Sequence, residues 1–341
     1  MSMKSLLSLA VGSLLFLAPS LGHATLLAAQ TYTGHVGLST DGFGSTSQSG
    51  DVQASVPVGS TVLKAYLYSA MFSAYGAPSA PVSLNGTPVS FTAQYVNGPS
   101  SLPTFFRTGR ADVTDLVKAV IDGGPGGVYD FRVLEGDLRI DGEALVVVYE
   151  NPALPSSTVG ILDGAAALTG DTTSINFSDP LNPTGPGFFA HMYIGDSFSC
   201  CDQASEIRVN GTTITHNAGN FDDGVGFAAN GALITVGGYN DAASAFLPSY
   251  DADHEHYELT PYISLGDTSI TVFTQNPSGD DNIFLAAFHV TGNAGFNAPP
   301  RNPNPPAVPE PGTWLLMGTG LFGMLGYGYI RREKAGDTSQ A

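Results

Sequence analysis

Residues 64–90 of this chain recur, altered but recognisable, at 189–215. KAYLYSAMFSAYGAPSAPVSLNGTPVS begins at Lys64 and FAHMYIGDSFSCCDQASEIRVNGTTIT at Phe189, and the two align without a gap at an offset of 125 residues. Ala65 meets Ala190, Tyr68 meets Tyr193, and Asn85-Gly86-Thr87 meets Asn210-Gly211-Thr212. The order continues downstream. Asp112-Val113-Thr114 aligns with Glu258-Leu259-Thr260 at an offset of 146, and EALVVVY from Glu143 aligns with NIFLAAF from Asn282 at an offset of 139. Self-similarity at this spacing marks one structural unit used twice. The body is therefore expected to hold two copies of one domain.

Each block reads as strand. VSLNGTPVSF and IRVNGTTITH alternate apolar and polar residues around Asn-Gly, the pair that most readily takes the positive φ of a tight hairpin. ALVVVY and IFLAAF are unbroken apolar runs of strand length, suited to the centre of a sheet covered on both faces. Only DVTDLVKAVID, Asp112 to Asp122, carries a helical period, and Pro261 limits its counterpart to a turn or two. With 42 Gly, 23 Pro and only 12% charged residues, solvated helices are scarce and turns plentiful. The expected fold class is all-β: two tandem β-sandwich domains related by internal duplication, at 31–152 and 157–292, divided at the Pro/Ser-rich stretch Asn151 to Ser157. On that reading residues 25–151 should fold alone. A Pro/Asn-rich linker follows at 293–307.

Between Thr25 and Glu310 stand 28 acidic residues against eight basic ones. Binding phosphate-rich partners depends on Lys and Arg, so this balance excludes nucleic acid and anionic lipid as ligands of the body. It suits divalent cations or neutral polysaccharides. The two cysteines, Cys200 and Cys201, are adjacent. They either close a strained vicinal ring or are free or intermolecularly paired thiols, and no disulfide framework is available.

SYDADHEHYEL, Ser249 to Leu259, lies in an insertion that the first copy lacks. Alternation along an extended chain puts Asp251, Asp253 and Glu255 on one face and His254, His256 and Glu258 on the other. The carboxylate face suits Ca²⁺ and the imidazoles suit Zn²⁺ or Cu²⁺; no other cofactor is expected. Tyr239, Phe246 and Tyr250 are aromatics able to stack on sugar rings. GDSFS at Gly195, GYND at Gly238 and DADH at Asp251 resemble the short blocks of SGNH or GDSL-type hydrolases. That resemblance implies Ser197 as nucleophile, His254 as base, Asp251 as orienting acid, and Gly238 with Asn240 as oxyanion donors. That family folds as a doubly wound α/β domain, and no helices of crossover length lie between Ser197 and His254.

The two ends are apolar. Lys4, the run Leu6 to Ala18, and Gly22-His23-Ala24 have the layout of a signal peptide, 1–24, cut after Ala24. Gly312 to Ile330 is uncharged and long enough for a transmembrane helix, and Arg331, Arg332 and Lys334 hold its far end inside the cell. Val308-Pro309-Glu310-Pro311, the apolar span and Arg331-Arg332 together resemble the PEP-CTERM sorting signal, here 308–334. The resemblance implies recognition by an exosortase-type processing protease, cleavage near the Pro-Glu-Pro and loss of the helix. The chain is expected to be exported, transiently anchored in the inner membrane, and placed at the cell surface or outside it. The resemblance implies an association with exopolysaccharide and biofilm, so the chain is expected to act there without catalysis, binding or organising that matrix. The alternatives are the hydrolase and a purely structural matrix component.

Overall fold

At Asn85-Gly86 the φ angles are 49° and 75°, and at Asn210-Gly211 they are 47° and 82°. Consecutive positive φ makes a turn whose twist matches that of the strands it joins, and Asn and Gly adopt it at little cost. The first turn links β5 (Val82–Leu84) to β6 (Thr87–Val89), and the second links β14 (Glu206–Val209) to β15 (Thr212–Thr215). Each Asn also accepts a bond from the next strand: Asn85 Oδ1 from the Arg132 N–H and Asn210 Oδ1 from the Thr271 N–H, both 2.8 Å.

The computed structural model describes residues 26–44, 47–73, 81–97, 105–197, 205–216, 234–247, 254–277 and 282–300. The signal segment, the sorting tail with its apolar span 312–330, Cys200, Cys201, Tyr250, Asp251 and Asp253 lie outside these.

Four antiparallel sheets stack in layers. The first hairpin lies in an outer sheet ordered β3 (Ser49–Val56), β9 (Gly127–Glu135), β5, β6. The second lies in the other outer sheet, ordered β20 (Ala294–Phe296), β12 (Asp171–Phe177), β18 (Ser269–Gln275), β14, β15. One inner sheet runs β2 (Val36–Phe43), β10 (Ile140–Glu150), β4 (Thr61–Ser73), β8 (Phe105–Asp112), β7 (Thr92–Asn97). The other inner sheet runs β1 (Leu27–Gly34), β11 (Ser157–Asp163), β19 (Asn282–Thr291), β13 (Ala190–Ser197), β16 (Ile234–Val236), with β17 (His256–Glu258) also on β13.

Three cores fill the gaps. Val52, Phe131 and Val133 meet Leu67, Leu145 and Val147 in the first sandwich, with Val117 and Ile121 of helix α1 (Thr114–Ile121) joining them. Ile175, Ile207 and Val272 meet Met192, Phe288 and Val290 in the second. Between the inner sheets, Tyr66, Tyr68, Val146 and Val148 pack on Val159, Ile161, Phe284 and Ala287. The runs read as central strands, β10 and β19, are thus apolar on both faces because each serves two cores. An ion pair from Arg110 on β8 to Asp163 on β11 crosses the same gap, and Tyr68 donates to Asp163 at 3.0 Å.

Strand order and register recur between the sandwiches. Val82 pairs with Glu135 as Ile207 pairs with Thr274, and Tyr66 with Asp112 as His191 with Glu258. The final apolar block is the exception. Leu145 pairs with Leu67 and Phe288 with Met192, so Leu145 corresponds to Phe288, an offset of 143 rather than the 139 of the sequence alignment. A featureless apolar run offers no landmark to fix its register.

Two boundaries also differ from those read in sequence. β1 overlaps the span 31–152 but pairs with β11 in the second sandwich's inner sheet. β20 and Asn297, whose Oδ1 accepts from the Ser174 N–H at 2.8 Å, extend the body past residue 292. Asn151 to Ser157 is a crossover between the inner sheets, and the contacts join both sandwiches into one unit ending at Pro300. Independent folding of residues 25–151 is thereby disfavoured: that fragment leaves β1 unpaired and exposes Tyr66, Tyr68, Val146 and Val148. Circular dichroism of this fragment should show an unfolded or aggregated chain. In the full-length protein, Phe284→Ala in the shared core should cost about 3–5 kcal/mol in denaturant melts, with both sandwiches unfolding together.

Candidate functional site

β9 buries alternate residues, Phe131, Val133 and Glu135, and the last of these is a carboxylic acid only 4% exposed. On β10, two positions before Leu145 on the same face, stands Glu143 at 0% exposure. The two carboxyls lie within hydrogen-bonding reach of each other. Glu143 Oε1 accepts from the Ser69 hydroxyl at 3.1 Å, whereas Glu143 Oε2 and Glu135 Oε1 accept from no donor.

A bulge brings in the third acid. Ile140 pairs with Met71 and Gly142 with Ala70, so Asp141 is an extra residue in its strand. Bulges re-aim side chains, and Asp141 reaches across to β13, where Ser197 Oγ donates to Asp141 Oδ2 at 3.0 Å. Burial penalises the charged form of all three acids. It pushes Asp141 up to about 8, and raises Glu135 and Glu143, Glu135 further because of the neighbouring Glu143.

Sequence reasoning missed this cluster. The signal was an acid at an inward position of an alternating strand, Glu135 in phase with Phe131 and Val133, and Glu143 opening an apolar run. Ser197, read as a nucleophile, is fully buried with its hydroxyl committed to Asp141. The Gly238 N–H, read as an oxyanion donor, is bound by Asp241 Oδ2 at 2.7 Å. His254 accepts from the His256 N–H at 3.4 Å, and Asp251 falls outside the described residues.

The acidic insertion is also arranged differently. Glu255 has φ 62°, which interrupts the alternation expected of an extended strand. It is fully buried and accepts from the Tyr257 hydroxyl at 2.9 Å. Asp251 and Asp253, its expected partners, are not described. His256 and Glu258 do share a face, and they meet His191 of β13.

There an imidazole chain forms. His256 Nδ1 lies 2.8 Å from the Asp241 carbonyl, which only accepts, so Nδ1 carries the proton. Burial holds His256 down at about 4 and lowers His191 as well, so near pH 7 both rings are neutral. His256 Nε2 is then an acceptor, and His191 Nδ1 donates to it at 3.0 Å. His191 Nε2 faces Glu258 at 3.7 Å. Tyr193 stacks on His256 with centroids 4.3 Å apart.

Residues 307–332 match the PEP-CTERM protein-sorting motif. The C-terminal segment is a PEP-CTERM sorting motif. It implies an exported protein sorted by an exosortase at the membrane toward the cell surface. No curated protein matches the chain. The PEP-CTERM segment includes every residue of the expected sorting motif, Val308 to Pro311 with Arg331 and Arg332.

The buried acids give the PEP-CTERM protein's body a distinctive pH dependence. Raised carboxyl pKa values contribute stability below the unfolded-state value and lose it as pH climbs through the folded-state value. Buried His256 and His289, both held at about 4, oppose that trend only below about pH 6.5. In chelator, the melting temperature should therefore fall as pH rises from about 6.5 to about 8. Asp141→Asn should flatten that slope and stabilise the protein at pH 8, on the order of 1 kcal/mol or more.

Proposed function

We propose that this protein is a non-catalytic component of the cell surface or extracellular matrix, exported, held briefly in the membrane and released by an exosortase. The observation that carries this reading is the sorting motif at 307–332. It is supported by a signal-peptide layout at the other end and by a body built from stacked sheets, a form suited to a structural or binding role. The two sandwiches are read as products of internal duplication, supported by their recurring turns, registers and bulges. Mass spectrometry of surface-released protein should give an N-terminus at Thr25 and a C-terminus near Pro309 to Gly312. Released protein that still carries Trp314 to Arg331 would refute removal of the tail.

The ligand class inferred is a neutral exopolysaccharide. A net charge of −18 disfavours polyanions. A cleft of about 240 Å³ is lined by Phe177, Phe188, Leu181, Pro186, Asn182 and Asp179. Aromatic faces beside amide and carboxylate groups can stack on a sugar ring and bond its hydroxyls. In co-sedimentation with neutral matrix polysaccharide, Asn182→Ala, at an exposed position of the cleft, should lower binding several-fold while leaving melting nearly unchanged. Equal sedimentation of both proteins would leave the structural reading in its place.

A further inference from the structure

The fold does not require the acids of the first sandwich. Strand pairing places Thr274 where Glu135 stands, Ala286 where Glu143 stands, Ile194 where Ser69 stands and Phe284 where Asp141 stands. All four counterparts are buried, and three are apolar. The same architecture therefore closes its core without a single carboxylate at these positions. In the first sandwich, three carboxylic acids are enclosed in an acidic protein, with no Lys or Arg among the groups that perturb Glu135, Asp141 or Glu143. An uncompensated buried charge costs several kcal/mol, so such a group either takes up a proton or meets a metal counter-charge.

The orphaned oxygens show where the counter-charge belongs. Glu135 Oε1 and Glu143 Oε2 are acceptors without donors, on side chains 4% and 0% exposed, and their carboxyls face each other. We propose that Glu135 and Glu143 form a divalent-cation site, taking Ca²⁺ between their facing oxygens. Two acceptors held together require a cation, either a proton or a metal ion. A shared proton cancels only one charge of the pair. A divalent ion cancels both. Oxygen-only ligation selects a hard cation, and a buried position with few waters favours Ca²⁺ over Mg²⁺, which keeps its water shell.

Among the described residues no three carboxylate, imidazole or thiolate groups converge on one point. The site is thus a two-carboxylate site. Ser69 orients Glu143 through Oε1 and leaves Oε2 for the ion. This site is separate from the insertion at Asp251, Asp253 and Glu255.

Full-length protein stripped with chelator and returned to pH 8 is titrated with Ca²⁺, following heat and melting temperature, and dialysed protein is assayed for retained calcium. One saturable site, a rise in melting temperature and about one retained ion per chain are expected by linkage. The response should shrink at pH 5, where protons compete for the same oxygens. Glu143→Gln and Glu135→Gln, which preserve shape, should each abolish it, whereas Asp251→Asn with Asp253→Asn should leave it intact. A wild type with no heat, no shift and no retained calcium would overturn the proposal and leave a shared proton between the two acids. A response that survives both glutamine variants, or that disappears with the insertion variant, would overturn it equally and move the ion to the insertion.

Discussion

The contact between the two inner sheets governs the rest of the body. β10 and β19 are each buried on both faces, and each contributes to a sandwich core and to the shared one between them. Apolar area removed from water contributes roughly 25 cal/mol per Å², so a sheet hidden on both sides gains twice from the same backbone. That gain carries a constraint. Neither inner sheet can be left uncovered, because Tyr66, Tyr68, Val146 and Val148 on one side and Ile161, Phe284 and Ala287 on the other would face solvent as one contiguous patch. β1 strengthens the coupling: it lies in the second sandwich's inner sheet, and the chain then turns at Gly34, φ 140°, into the first. Arg110 and Asp163 close the gap with a charge pair from sheet to sheet.

Within that architecture the first sandwich departs from the second at one place. The bulge opposite Ala70 and Met71 recurs opposite Gly195 and Asp196, but its extra residue is Asp141 in one sheet and Phe284 in the other. Phe284 fills the shared core, while Asp141 binds Ser197 and joins Glu135 and Glu143. A pair of matching positions thus does packing in one sandwich and gathers acids in the other. The apolar version shows that these positions can close the core without carboxylates.

The imidazole pair of His256 and His191, anchored on the Asp241 carbonyl, has a different character. Its protons are dictated by one carbonyl acceptor, and desolvation keeps its rings neutral. It fixes β17 against β13 through polar contacts where the first sandwich has Tyr66 and Asp112 at the same register.

Local chemistry determined a good deal. Asn-Gly specifies its hairpins wherever it stands, because the positive φ it tolerates is a property of those two residues. Unbroken apolar runs announce strands covered on both faces. The helical period at 114–121 and Pro261 set the sizes of the two helical turns. The PEP-CTERM motif is read from contiguous residues, since a processing enzyme meets it as a linear segment. What tertiary structure decided is everything that depends on which surfaces meet. The register of β10 and β19, the transfer of β1 to the second sandwich, and the fusion of two sandwiches through a third core follow from burial of faces that the sequence marks only as apolar. Glu135, Asp141 and Glu143 stand in one stretch of sequence among surface-like acids. Their enclosure is set by a bulge and by sheets arriving from residues far along the chain, and burial, not residue type, turns a carboxylate into a site.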